Sequence, residues 1–193
     1  MQTKKLFLLC IHIRYSKMMM RLKTILIIFT IIIFIGCNND DDSNSSSETD
    51  IELVTGIDLR SSDYSLPLRL GNPNVYRNNQ FVAYPNPTSS VLNISSSVNI
   101  SDIWIIPADA KKIYQNFDFN SVLDSDLNEE TLIESNAEVE LLDLNSFNLA
   151  INLENLTSGY YKVFVKINGN LYWDNIYIPD SNFEINDLEN FWN

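Results

Sequence analysis

The side chains that could do chemistry are distributed unevenly along this 193-residue chain. Both cysteines and the only histidine, His12, occur within the first 37 residues. Residues 38–193 therefore lack the parts for Ser-His-Asp or Cys-His catalysis and for the usual zinc sites. They also lack a glycine-rich phosphate loop. A carboxylate pair or a Ser-Lys pair is the remaining catalytic chemistry, and carboxylates are too common here to be informative. We expect no enzyme activity, no catalytic residue, no cofactor and no metal site.

Charge changes sign along the chain. The formal net charge is −12, from 13 basic and 25 acidic residues, but six basic residues and no acidic residue precede Cys37. Residues 37–193 thus carry a formal charge of −18. Such acidity excludes a nucleic-acid partner, because phosphates require a basic surface. It also excludes electrostatic binding to anionic lipid. A single cysteine in this part also excludes an internal disulfide, so a packed core must supply the stability.

The stretch MMMRLKTILIIFTIIIFIGC has the order of parts found in a signal peptide. Arg21 and Lys23 precede the apolar run Ile25–Ile35, and Gly36 is the small residue before Cys37. An apolar run of this length is too short to span a bilayer. The pattern resembles a bacterial lipobox, which implies signal cleavage after Gly36 and lipid attachment to Cys37. An ordinary secretory peptide or an uncleaved anchor is the alternative.

The domain organisation follows from this front end. We expect 1–36 to be upstream read-through followed by the lipoprotein signal peptide, and 37–50, CNNDDDSNSSSETD, to be a disordered acidic tether. Asp40, Asp41 and Asp42 resemble the export signal of surface lipoproteins in Bacteroidota. The resemblance implies an outer-membrane lipoprotein at the cell surface, in contact with the membrane through the lipid on Cys37.

In the rest of the chain, turn residues separate short runs of strand-forming residues, as is typical of an all-β protein. The Asn-Gly pair at 168–169 joins YYKVFVKI to NLYWDNIYI and predicts a β-hairpin. In the strand candidate VLNIS, Leu92 and Ile94 should face the core, with Val91 and Asn93 on the opposite face. The number of short strands predicts an Ig-like β-sandwich. Six further runs are predicted as strands: IELVTGIDLR, QFVAY, DIWIIPA, KKIYQ, AEVELL and FNLAINL.

A short helix is predicted over 180–193. Ser181 as N-cap and Glu184 three residues later form a capping-box pattern. The apolar residues that follow recur at helical spacing and form one stripe that closes an end of the sandwich. A partner-binding helix is the alternative. The apolar residues of the stripe are Ile185, Leu188, Phe191 and Trp192.

Two prolines flank one asparagine in the sequence YPNP. Pro85 and Pro87 have no backbone N–H to donate, and each pushes the preceding residue, Tyr84 or Asn86, into extended geometry. The segment therefore cannot form a full set of ladder hydrogen bonds. It should be an extended lead into the strand at 91–95.

This lead resembles the start of the C-terminal sorting domain of type 9 (Por) secretion cargo, a small β-sandwich. The later stretch LTSGYYKVFVKINGN is similar to the closing motif of that family through Leu156, Gly159 and Tyr161. IWIIPADAKKIYQ looks like its middle hairpin. The resemblance covers 81–179, preceded by N-terminal strands or an arm at 51–80. It implies a role as a secretion cargo or sorting module.

Two weaker patterns are also present. DSDLNEE places oxygen ligands at Asp124, Asp126 and Asn128 as a calcium loop does, but Glu129 and Ser135 replace the required glycine and glutamate. A solvated acidic loop is the favoured interpretation. Four aromatic rings suggest a platform for sugars or peptides, but such rings more often form core and cross-strand contacts. The rings are those of Trp104, Tyr172, Trp173 and Tyr177.

Together these patterns predict a non-enzymatic, lipid-anchored β-sandwich module of the cell envelope. Its role would be structural, or the binding of an extracellular protein or glycan. A type 9 secretion sorting domain is the alternative function, and a carboxylate-based hydrolase ranks last.

Overall fold

The structure is a computed structural model that describes residues 50–193. Gly36, Cys37 and all but the last residue of the expected tether lie outside the described residues. The described part is mostly β and belongs to one compact unit. None of its helices is long and apolar enough to cross a membrane. The strands are β1 (Leu53–Val54), β2 (Gly56–Leu59), β3 (Leu68–Gly71), β4 (Phe81–Tyr84), β5 (Val91–Ala110), β6 (Val139–Leu141), β7 (Ser146–Asn152), β8 (Gly159–Ile167) and β9 (Asn170–Ile178), and the helices are α1 (Glu130–Asn136) and α2 (Ile185–Trp192).

Seven strands form one mixed sheet around β5, which is 20 residues long. The first half of β5 lies between β4 and β7, and its second half pairs with β8, β6 and, in parallel, β1. The register shifts between Ser95 and Ile100, where the strand passes from one set of partners to the other. The strands β2 and β3 form a separate two-stranded sheet.

The β8–β9 hairpin predicted from the Asn-Gly pair is confirmed. Asn168 and Gly169 both have positive φ, 52° and 80°, as a type I′ turn requires. The side chains of β8 alternate between two cores. Tyr161, Val163 and Val165 enter the main core, whereas Phe164 enters a second core on the other face of the sheet. Both faces are covered, so β8 and β9 are buried almost continuously.

The second core is covered by an acidic insertion, residues 119–136, which lies between β5 and β6. A short 3₁₀ turn (Phe119–Ser121) and α1 place Phe119 and Ile133 over Trp104 and Trp173. Both tryptophans are buried, as is Tyr172. An exposed aromatic platform built on these three rings is therefore wrong, and they serve as packing residues.

The segment 51–80 is integral to the fold. Its β1 pairs with the end of β5, and the β2–β3 sheet forms a third core with α2. The predicted strand KKIYQ is wrong, because the chain turns into irregular structure at Lys111. The expected middle hairpin is therefore not formed, and this part of β5 pairs with β8 and β1 instead.

The C-terminal helix is confirmed, but its capping box lies three residues later than predicted. Glu184 is the N-cap and Asp187 the N3 residue, and their side chains and backbones bond reciprocally. Asp180 Oδ1 accepts the N–H of Asn182 at 2.8 Å, and such an Asx turn competes with helix formation. Two of the four side chains of the predicted apolar stripe are buried, and the other two, Ile185 and Phe191, are exposed. The buried pair is Leu188 and Trp192.

Candidate functional site

The asparagine of the YPNP motif is buried between two sheets and uses all its polar groups. Asn86 is 3% exposed, and its backbone N–H and C=O pair with Arg60, both at 2.7 Å. Its side-chain Nδ2 donates to the carbonyls of Asp58 and Asn175, each at 2.9 Å. Its Oδ1 accepts the N–H of Tyr177 at 3.0 Å. Asn86 therefore connects β2 to the outer edge of β9.

Within residues 50–193 the outer edge of β9 has no neighbouring strand, and three residues satisfy it instead. Tyr76 exchanges two backbone hydrogen bonds with Trp173, at 3.0 and 2.8 Å. Further along, Asn86 binds the edge through its amide group, and Thr88 donates its N–H to the carbonyl of Tyr177 at 3.0 Å. Buried backbone groups must be hydrogen-bonded, so these residues replace a missing strand.

The flanking prolines explain why a side chain, and not the backbone of this segment, forms hydrogen bonds with the outer edge of β9. Pro85 and Pro87 cannot donate backbone hydrogen bonds, and both peptide bonds that precede them are cis. Without these two N–H groups the segment cannot form a full set of ladder hydrogen bonds, as predicted, and Asn86 forms a single bridge, to Arg60. An amide side chain carries two donor hydrogens and one acceptor, which is the set that Asn86 uses. Tyr84 ends β4 and pairs with Asn93 of β5.

The second predicted motif reaches the opposite edge of β9. Gly159, at φ 149°, opens β8 and pairs with Ile178. Tyr161 is buried, and its hydroxyl donates to the carbonyl of Thr157 at 3.0 Å, which ties down the turn before the strand. Leu156 packs against the main core. The two predicted motifs thus meet on β9, and the contacts that their residues make are those of structural residues.

A buried ionic network lies beside Asn86. The carboxylate of Asp58 accepts hydrogen bonds from Arg69, at 2.9 and 3.1 Å, and from Arg77. Arg77 also donates to Asp174 at 3.0 Å, and the other oxygen of Asp174 accepts the N–H of Asn175 at 2.9 Å. No local sequence pattern indicates this network, because its residues lie up to 97 positions apart.

The two aspartates of the network differ in pKa direction. Burial alone raises the pKa of Asp58, but the hydrogen bonds and charges of Arg69 and Arg77 outweigh it and leave the pKa below its ordinary value. Burial also raises the pKa of Asp174, and Arg77 offsets only part of that effect. Both carboxylates are enclosed and bound to Arg77, so neither faces a cleft in which it could act on a substrate.

A buried lysine forms a second, smaller polar site. Lys162 on β8 is 3% exposed, and its Nζ has one long contact, 3.4 Å, to the carbonyl of Asp50. A cavity of about 10 Å³ beside it is lined by Asn74, Asn128 and Trp173. Such a space holds about one water molecule, so it is too small for a substrate. Burial lowers the pKa of Lys162 to about 7, and the charge of Asp50 counteracts this only in part.

An open apolar groove of about 400 Å³ lies beside the YPNP motif. Its volume is within the range of small-ligand sites. Arg60, Ser61, Ser65 and Asn86 supply its polar lining. This apolar groove is lined mainly by Leu59, Leu66, Leu68, Pro85, Pro87 and Ile185.

Comparisons with known proteins do not assign a family to this chain. No protein-family model, curated protein or solved structure matches it.

The role of Asn86 predicts a large effect of a small substitution. Asn86→Asp keeps the acceptor but removes both donors and turns a carboxylate toward two carbonyl oxygens. We expect it to lower the free energy of unfolding by about 2–4 kcal/mol, measured by urea denaturation. The exposed Asn155→Asp is the matched control and should change it by less than about 0.5 kcal/mol. Equal effects of the two substitutions would contradict the assigned role.

Lys162 predicts a pH dependence of stability. Its folded-state pKa of about 7 lies below the ordinary lysine value, so the unfolded state binds more protons between about pH 7 and pH 10. Wild-type stability should therefore rise with pH across this window. We expect Lys162→Met to be more stable than wild type by about 1–3 kcal/mol at pH 7. In urea denaturation that advantage should shrink toward pH 10, and an advantage independent of pH would refute the assignment.

Proposed function

We propose that this protein is a non-enzymatic, lipid-anchored module of the cell envelope, held outside the membrane by lipid on Cys37. The supporting sequence is the apolar run followed by Gly36 and Cys37, and then a tether without core-forming residues. The described fold supports a boundary between tether and folded body near residue 50. Ile51 and Leu53 are already buried, so the core begins immediately after the expected tether. This coincidence of the two boundaries is the observation that carries the proposal.

We infer an Ig-like β-sandwich as the finer architecture of the body. Its support is the composition of the main core, to which two groups of strands contribute. Phe81, Leu92 and Ile151 come from the strands around the first half of β5. Val163 and Ile176 come from the β8–β9 hairpin. Two strand groups that share one core and are joined by one long strand with a register shift are typical of a sandwich.

A type 9 secretion sorting module is the second candidate function. The observation that favours it is the convergence on β9 of the two segments that resemble the sorting-domain motifs. Residues 51–80 supply partners to both Asn86 and β9, through Arg60, Asp58 and Tyr76. A sorting unit built on this fold would therefore have to include that segment.

The anchor is tested by the intact mass of the protein from the membrane fraction of its native host. We expect a chain that begins at lipid-modified Cys37 and still ends at Asn193. The variant Cys37→Ser should lose the lipid mass and leave the membrane fraction. An unlipidated wild-type chain, or one cut near Tyr84, would contradict the anchor and favour the sorting role.

The sorting role has its own test. Residues 46–193 are fused to a periplasmic reporter in a host with type 9 secretion, so that the 51–80 segment is retained. Export of the reporter would support sorting, and retention in the periplasm would eliminate it. The negative control is the same reporter without residues 46–193, which should stay in the periplasm.

A further inference from the structure

The most exposed large apolar side chains of the described residues belong to the loop after β2 and to the start of β3, and two of them line the apolar groove. Tyr64 and Leu66 are each 93% exposed, and Leu68 is 54% exposed. Leu66 and Leu68 line the groove together with Ile185 of α2, which is also exposed. Scattered apolar residues on a surface need no explanation, but a contiguous set around a concave surface indicates a binding site.

The loop that presents these side chains is held in place by its own hydrogen bonds. The hydroxyl of Ser65 accepts the N–H groups of Ser61 and Ser62, at 3.2 and 3.1 Å, and donates to the carbonyl of Ser62. Arg60 donates from Nη1 to the carbonyl of Ser65 at 3.2 Å. A surface organised before binding loses less conformational entropy when a ligand docks.

The floor of the groove offers a ligand little hydrogen bonding. The side-chain polar groups of Asn86 are already bound within the fold, and Pro85 and Pro87 have no N–H. The edge of β3 is different. Within residues 50–193 it pairs with β2 alone, and Leu68 lies at the end of this strand that borders the groove. A free strand edge beside apolar pockets is the arrangement that receives an extended peptide as an added strand.

The positive charge of Arg60 at the groove favours a ligand with a negatively charged group. In the neighbouring network the charges of Asp58 and Asp174 are balanced by those of Arg69 and Arg77. Arg60 is the charged residue that lines the groove, and it forms no ion pair within the described part of the chain. A guanidinium with free donors beside an apolar surface is complementary to a carboxylate.

We propose that the apolar groove binds an extended apolar peptide that carries a carboxylate, with its backbone along β3 and its carboxylate on Arg60. The carboxylate can belong to the peptide's C-terminus or to an acidic side chain. This inference rests on the proposed role as a binding module and specifies the class of its partner.

The test uses the processed full-length protein in nanodiscs of neutral lipid, with empty nanodiscs as the blank. The probes are three acetylated pentapeptides of valine and threonine: one with a free C-terminus, one amidated, and one amidated with a central glutamate. In calorimetric titrations, we expect at least one charged peptide to bind about tenfold more tightly than the neutral one. Arg60→Gln should remove this difference.

Two matched variants locate the contact. Leu66→Ser should weaken the binding of each peptide about tenfold, and its exposure means that the fold does not depend on it. Phe147→Ser, at an exposed apolar residue of β7, should leave the binding unchanged. Absence of binding, equal binding of charged and neutral peptides, or Arg60-dependent binding of sodium decanoate in place of the peptides would overturn the proposal. The intact mass of the same preparation reports lipidation, so failure of peptide binding is distinguished from failure of the anchor.

Discussion

The structure depends on how the outer edge of β9 is satisfied. Among residues 50–193 this strand is buried on both faces and pairs with β8 alone, so the backbone groups of its other edge need hydrogen-bond partners that are not a strand. The amide of Asn86 binds Asn175 and Tyr177 there, and Tyr76 binds Trp173. An unsatisfied buried polar group costs about 1–3 kcal/mol. Several such groups would offset much of the stability of a domain this size.

The same contacts attach residues 51–80 to the rest of the fold. Asn86 binds the backbone of β2, the amide of Asn175 donates to Gly56, and Arg77 joins Asp58 to Asp174. A buried ion pair of this kind adds little net stability compared with apolar packing, but loss of one partner is costly. The network therefore fixes which surfaces of the two sheets meet. It also places the YPNP motif and the loop after β2 around a common apolar groove.

Local patterns predicted local structure well. The Asn-Gly turn, the inward direction of Leu92 and Ile94 and the C-terminal helix all depend on residues close in sequence. The helix began later than predicted because an Asx turn at Asp180 competes with the earlier capping box. The failure of KKIYQ as a strand has a tertiary cause, since the end of β5 already pairs with β8 and β1.

The site itself could be predicted only in part. The two prolines on either side of Asn86 indicated a segment unable to pair fully as a strand, but nothing local indicated that Asn86 would bind residues 89 and 91 positions away. Arg77 and Asp174 are 97 residues apart, and in a chain with 25 acidic residues no single aspartate stands out. The burial of Trp104 and Trp173 under the acidic insertion was equally a matter of tertiary packing.

The central claim is that the amide of Asn86 takes the place of a strand on β9, and hydrogen exchange of one amide tests it most directly. The N–H of Tyr177 bonds to the side-chain Oδ1 of Asn86. In native-state exchange followed by NMR, the account predicts that this amide is protected as strongly as that of Trp173. Exchange of the Tyr177 amide as fast as that of the exposed residue Asn155 would show that the edge is open, and would contradict the account.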